Sequence, residues 1–270
     1  MIQRKSDPPR GVLHSGGSGR PFRHERYHPS SDLGTYVEHY WVVEWDLRRR
    51  PSYRAQTLPH PSVHMIFEAG GRSRIRGPAR AKFSRRLRGA GRVFAVKFTP
   101  AGFYPFARGP VSRLTDKVVA LRTQFGSDAA PLERAIDAER SDVVRVEIVE
   151  AFLRARLPEP DEDVARLSAV VYAAAGDRTL TKVDDLVDRF QLNKRTLQRL
   201  FARYVGVSPK WVIQRYRLHE AAERLAVGGV DHAALASELG YSDQAHFGRD
   251  FKGIVGMSPA AYGRAAGRMR

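Results

Sequence analysis

A nine-residue phrase occurs twice near the carboxyl end of this chain, fifty residues apart: Phe201, Val205, Gly206, Ser208 and Pro209 return as Phe251, Val255, Gly256, Ser258 and Pro259. Repetition at a fixed offset means that one local structure is built twice. The phrase spells the end of one helix and the start of the next. A Gly past the last apolar position suits a left-handed C-terminal cap, while Ser-Pro supplies an N-cap hydroxyl and a Pro at the first helical position. In the first copy Leu186, Phe190 and Leu192 lead into Leu197, Leu200 and Phe201; in the second Leu235, Leu239 and Tyr241 lead into Phe247 and Phe251. That spacing predicts two short helices around a tight turn in each copy, neither able to hide its apolar face alone. Leu186 maps to Leu235 at an offset of 49 and Phe201 to Phe251 at 50, so the second turn holds one extra residue.

With Leu197, Leu200, Phe201 and Tyr204 turned inward, the outward stripe of the first copy is Arg195, Gln198, Arg199 and Ala202, opened by Asn193 as N-cap. Arg can pair bidentately with guanine and Gln with adenine in a major groove wide enough for a helix, whereas Lys194 and Arg203 are placed for phosphates. A merely solvated, helix-favouring surface would have the same composition. In the second copy the stripe is Ala245, Gly248 and Arg249, flanked by Gln244 and His246, with Lys252 as a phosphate candidate. It offers fewer donors, so the first unit should carry most of any sequence specificity.

Residues 165–264 resemble the DNA-binding domain of the AraC/XylS family of bacterial transcription regulators. The resemblance is carried by Leu186, Leu192, Leu197, Phe201, the Gly206 to Pro209 turn, Arg217 to Ala221, Leu235, Gly240, Phe247, Phe251 and the Gly256 to Tyr262 stretch. It implies seven helices forming two helix-turn-helix units joined by a long helix, with base-reading positions at Arg195, Gln198 and Arg199. It implies double-stranded DNA and RNA polymerase as partners, and an activator's role. Gln191 stands where the family usually has the turn Gly and would carry a positive φ that Gly adopts freely. Ser208, Ser258, Arg215 and Arg217 are candidates for phosphate positioning or for structural support.

The chain has a formal charge of +17, which suits a polyanionic partner. The excess is not in the repeated motif: it is +4 over residues 1–27, +9 over 28–159 and +4 over 160–270. Residues 69–115 hold twelve Lys or Arg and no acid, and Arg72, Arg74 and Arg76 alternate as in a half-exposed strand. This segment reads as a solvated basic rim, as an extra contact to the DNA backbone, or as a pocket for an anionic effector. The second of these leaves open a sequence-tolerant architectural DNA-binding protein.

Strand-like runs at 40–45, 62–68 and 93–98 lie between Pro, Gly and Arg clusters, so the amino-terminal half should be β-rich, with helices after Pro131. This half resembles the presumed sensor domain of one AraC-type branch through residues 58–63, 97–103 and 114–116, which implies control by an unknown small-molecule effector or by self-association. Trp41, Trp45, His64, Phe103 and Tyr104 are candidates for a pocket lining, although plain core packing gives the same pattern. The helix expected between Ser141 and Leu157 is apolar on more than one face and is a candidate homodimer seam.

Enzymatic readings find no constellation. Cys is absent, which excludes thiolate nucleophiles and Cys-bound zinc. No P-loop, serine elbow or dinucleotide fingerprint occurs. His60 and His64 with His39 or Glu68 lack a metal-ligand signature, so no metal or cofactor is expected. An enzyme domain fused to the DNA-binding domain remains the least supported alternative. The expected organisation is an α+β chain: a disordered tail at 1–27, a β-rich domain at 28–157, a linker at 158–164 and a helical DNA-binding domain at 165–265. No apolar stretch suits a membrane span, so a cytoplasmic location is expected.

Overall fold

The computed structural model describes residues 2–7, 11–13, 21–70, 73–157 and 159–267. The fold is α+β. Strands β1 Val12–Leu13, β2 Phe22–Tyr27, β3 Val37–Leu47, β4 Tyr53–Thr57, β5 His64–Glu68, β6 Arg74–Arg76, β7 Phe83–Leu87, β8 Gly89–Phe98 and β9 Val118–Ala120 come first. They form an antiparallel six-stranded sheet ordered β2-β3-β8-β5-β6-β9 and a three-stranded sheet ordered β1-β4-β7. The three apolar runs read from the sequence are the adjacent central strands β3, β8 and β5. Because side chains alternate across a strand, Tyr40, Val42, Met65, Phe67, Phe94 and Val96 enter the main core, whereas Trp45, Ile66, Val93 and Ala95 face the smaller sheet.

Helices then take over: α1 Leu121–Phe125, α2 Ala129–Ala138, α3 Asp142–Arg154, α4 Glu162–Gly176, α5 Val183–Phe190, α6 Lys194–Leu200, α7 Pro209–Val227, α8 His232–Glu238, α9 Gln244–Val255 and α10 Pro259–Gly267. The α3 helix packs on the main core through Val146, Val149 and Leu153 and is pinned by polar groups on the same face. Asp142 accepts from Arg23 at 2.7 Å, Arg145 at 2.6 Å and the Tyr27 hydroxyl at 3.2 Å. Glu150 accepts from the Ser30 hydroxyl at 2.6 Å and from Arg154 at 2.8 Å. Each buried carboxylate therefore has its partners. Most of the apolar surface expected at a dimer seam is thus used within the chain, and Val143 is the large apolar side chain of α3 left exposed.

Two segments depart from the expected organisation. The first 27 residues are held where described: Lys5 N donates to the Arg26 carbonyl at 2.8 Å, His28 N to the Gln3 carbonyl at 2.9 Å, and β1 pairs with β4. Free strand edges supply those partners, which composition cannot reveal. The glycine run at 16–19 lies outside the described residues. The α4 helix starts inside the expected linker, where Asp161 caps it and accepts from the Tyr204 hydroxyl at 2.7 Å.

Candidate nucleic-acid interface and inner cavity

The repeated phrase produces the same backbone twice. Gly206 and Gly256 both adopt φ 87, closing the helices before them. Ser208 Oγ accepts from Trp211 N at 3.2 Å, and Ser258 Oγ from Ala261 N at 3.3 Å, starting the helices after them. Within the units, α5 ends on Gln191 at φ 52 and α8 is followed by Gly240 at φ 73, the left-handed turn position in each copy. Asn193 Oδ1 caps α6 through Arg195 N at 2.9 Å, and Asp243 Oδ1 caps α9 through His246 N at 2.6 Å. Leu192 alone separates turn and cap in the first unit; Tyr241 and Ser242 do so in the second, which accounts for the one-residue change of offset. The α6 helix continues as a π-helical turn, Phe201–Val205.

Leu197, Leu200, Phe201 and Tyr204 are buried, leaving Lys194, Arg195, Gln198, Arg199, Ala202 and Arg203 exposed on the opposite face. Among the described residues Arg195 and Arg199 form no ion pair, whereas Lys194 meets Asp184 at 2.8 Å. On α9, Gln244, Ala245, His246, Arg249 and Lys252 are exposed around buried Phe247 and Phe251. His246 Nδ1 lies 3.2 Å from the Ser242 hydroxyl. Arg203 donates to the Tyr104 hydroxyl while staying exposed.

Other sequence candidates are placed differently. Arg215 is buried, donates to the Arg80 carbonyl at 3.3 Å and lies over the Trp211 ring, so it supports the fold rather than facing a phosphate. Arg217 donates to the Leu239 carbonyl at 2.5 Å and the Leu180 carbonyl at 3.2 Å, joining the two units. The hydroxyls of Ser208 and Ser258 are engaged as caps. Phe103 is packed in the main core, and Tyr104 stacks on Tyr204 at 4.0 Å, so neither lines a pocket. Aromatic composition had pointed to them, but their short turns lie on the far side of the sheet from the cavity.

That cavity, about 790 Å³, lies between the two sheets. Trp41, Trp45 and His64 line it, as the sequence suggested, with Phe22, Tyr53 and Phe83 that it did not. Gly91 stands opposite Trp45, where an added Cβ would fall 2.4 Å from the indole. The charged lining comprises Lys5, Arg26, Arg74, Arg76, Arg85 and Lys97 against Asp7, Glu38 and Glu68, a formal excess of three positive charges. The Arg74 and Arg76 face of β6 therefore turns to the space between the two sheets, because the three-stranded sheet stands over it; Ile75 enters the core behind. Glu68 takes both Arg74 and Arg85. Lys97 meets Glu38 at 2.8 Å; burial pushes the Glu38 carboxyl up, but Lys97 and His39 pull it well below the carboxylate range. Burial, reinforced by Lys97 and His39, pushes His64 down to about 3, so it is neutral. Its Nδ1 accepts from the Trp41 indole N–H at 3.3 Å, leaving the ring proton on Nε2. A reading of strand faces by twos could have found this set, since Arg74, Arg76, His64 and Lys97 share one face.

The segments framing the cavity also grip the helical half. His219 Nε2 on α7 lies 3.0 Å from the Pro59 carbonyl, and its ring centre is 4.6 Å from that of His60, a cavity residue. Lys82 donates to the Val255 carbonyl at the end of α9 at 2.5 Å. Thr115 Oγ1 donates to the Gly206 carbonyl at 2.6 Å, just past the π-helical turn that extends α6. Among the described residues no helix is long and apolar enough to cross a membrane.

Comparison with known proteins divides the chain the same way. A family model described as a helix-turn-helix domain matches residues 186–265, and one described as a domain of unknown function (DUF6597) matches residues 25–120. The HTH-type transcriptional activator RhaS of Escherichia fergusonii is 29% identical over 161 residues, 58% of this chain and 57% of that protein. RhaS of Pectobacterium carotovorum is 35% identical over 74 residues, 27% of this chain and 26% of the relative. The HTH-type transcriptional activator AarP of Providencia stuartii is 31% identical over 80 residues, 30% of this chain and 59% of the relative. The matched part thus spans between about a quarter and three-fifths of these relatives' lengths. The structure of ToxT from Vibrio cholerae aligns over 91% of this chain and 99% of its own at 11% identity and a TM-score of 0.40, a likeness too distant to argue from.

Proposed function

The carboxy-terminal domain of this chain is an AraC-type helix-turn-helix domain, and from that premise we propose that the protein is a sequence-specific transcription regulator controlled by a small molecule held in the cavity between its sheets. The observation that carries the reading is the exposed stripe Arg195, Gln198 and Arg199 along the capped helix α6, donors that no carboxylate neutralises among the described residues. In this reading α6 enters one major-groove segment and reads base edges, and α9 enters the next with Gln244, His246 and Arg249, roughly 34 Å along the duplex. Lys194, Arg203 and Lys252 hold phosphates and set register without reading sequence. The regulator acts as an activator, as RhaS and AarP are named, and RNA polymerase is its protein partner. Cavity and DNA are coupled because the 59–60 and 80–82 segments touch both the cavity and the helices α7 and α9. Self-association is secondary, and the exposed Val143 on α3 is its candidate contact.

The test is a genomic binding map with tagged protein, followed by affinities for a recovered site and a scrambled control across a salt series. Discrete sites and a specificity ratio above about a thousand are expected. Diffuse occupancy with near-equal affinities and a steep salt slope would replace this reading by that of an architectural protein.

A further inference from the structure

The cavity has a chemistry that DNA binding does not use. Strand register sorts its floor into rows: Arg76, His64, Lys97 and His39 are direct neighbours across β6, β5, β8 and β3. Two, four and six residues further along β3 the same face carries Trp41, Val43 and Trp45. At about 3.4 Å per residue, the floor runs some 20 Å from a cationic row to an apolar, aromatic end.

The cationic row is unevenly neutralised. Glu38 serves Lys97 at 2.8 Å and His39 at 3.3 Å. At the other end Arg76 has no carboxylate partner among the described residues. Its Nε is buried without a hydrogen-bond acceptor, its guanidinium lies 4.6 Å from the Phe83 ring centre, and the charges that act on it, Arg74 and Arg85, are of the same sign. Both of those are occupied by Glu68. Beside Arg76 stands neutral His64 with its remaining proton on Nε2. This end of the cavity therefore carries hydrogen-bond donors and an excess positive charge, with no acceptor assigned to them. A desolvated guanidinium in such a place is a standing cost until an anion completes it, and a carboxylate matches its fork bidentately. Toward Trp45 the charged side chains of the floor are bound to one another, Glu68 taking Arg74 and Arg85, and Phe22, Val43, Ile66 and Val93 surround the indole rings with apolar surface.

We propose that this cavity binds a monoanionic amphiphile, its carboxylate on Arg76 and His64 and its apolar body along Trp41 and Trp45. The assignment deepens the effector reading and rests on it only for its regulatory meaning.

The experiment titrates the purified full-length chain with octanoate and 1-octanol, and with 2-naphthoate and 2-naphthalenemethanol, pairs that share a body and differ in charge. Heat of binding is the readout for all four, with tryptophan fluorescence added for the octyl pair. Each carboxylate should bind at least about tenfold more tightly than its alcohol. Arg76→Gln should bring the two within about threefold while leaving alcohol affinity unchanged, which also shows that the variant is folded. Arg26→Gln serves as control: Arg26 lines the same cavity with no ion pair to a carboxylate among the described residues, but stands four strand spacings from Arg76 on β2, roughly 19 Å. It should keep the preference. Alcohols that bind as tightly as the carboxylates, a preference that survives Arg76→Gln or vanishes in Arg26→Gln, or no binding of any probe at millimolar concentration would each overturn the proposal. DNA binding is scored separately. Diffuse DNA occupancy with intact carboxylate preference would sink the regulator reading and leave this assignment standing.

Discussion

Arg199 illustrates what one exposed side chain can be asked to do. It stands on the outward face of α6 with no ion pair among the described residues, so its full donor fork is available to a base edge. Arg199→Ala is expected to cost about 1–3 kcal/mol on a recovered site and to relax preference at one base pair. Equal losses on site and scrambled DNA would reassign it to the backbone. Gln191 is a second case. It holds φ 52 at the end of α5, a region that a side chain makes unfavourable, and its counterpart Gly240 shows what the turn accepts. Gln191→Gly should stabilise the domain by about 0.5–1 kcal/mol, visible as a higher denaturation midpoint. His64 ties stability to pH. Folded, burial holds it near 3; unfolded, it titrates near 6.5, so between those values the unfolded chain binds the extra proton. The stability due to neutral His64 is complete above about pH 6.5 and is lost as pH falls toward about 3. The urea midpoint of the wild type should therefore drop more steeply between about pH 7 and pH 4 than that of His64→Gln, and parallel curves would dismiss the effect.

At the scale of elements, the sequence was most legible where a local signal sufficed. The repeated Gly-x-Ser-Pro turns close the π-helical turn after α6 and the end of α9, and α9 runs over 244–255 as periodicity indicated. The first recognition helix, expected over 195–205, is there but changes from α to π at Phe201, which no apolar spacing announces. The strands at 40–45, 62–68 and 93–98 were readable; their sheet order was not, because pairing between β3, β8 and β5 is long-range. Hence Trp41, Trp45 and His64 could be proposed as lining, while the basic segment that holds Arg76 stayed open between a solvated rim, a contact to the DNA backbone and a pocket for an anionic effector. Its alternation was visible, but which face met water depended on β4 and β7 closing over it. Arg215 was legible as a cation on the linking helix, and only packing revealed that it is buried. The contact of Lys82 with the last carbonyl of α9 carries a further expectation. Lys82→Ala should remove a hydrogen bond worth about 1 kcal/mol and speed amide exchange across 250–256, leaving α6 unchanged. Uniform protection in both helices would show that the contact does not hold α9.

Across the whole molecule, the apolar cores do not follow the division into sensor and DNA-binding halves. One cluster runs from Tyr40, Phe94 and Phe98 in the six-stranded sheet through Leu186, Leu197 and Phe201 to Tyr216, so the sheet and the first helix-turn-helix share a single interior. The second unit has its own cluster around Leu235, Phe247, Phe251 and Tyr262. Phe201→Ala, at a fully buried position, should cost about 3–5 kcal/mol and lower the unfolding midpoint of the sheet together with that of α6. In a Trp211→Phe background, tryptophan emission from Trp41 and Trp45 reports the first and far-ultraviolet dichroism the second; separate midpoints would show two independent cores. The second cluster also contains Leu13 of β1 and Leu58, which directly follows β4 and donates its backbone N–H to the Gly11 carbonyl at 2.8 Å. Synthesis makes that arrangement sequential. At about 5–20 residues per second, some ten to fifty seconds pass between the emergence of Leu13 from the ribosome and that of Tyr262. During that interval two leucines destined for the interior of the second helix-turn-helix unit are on the nascent chain before the helices that cover them have been made.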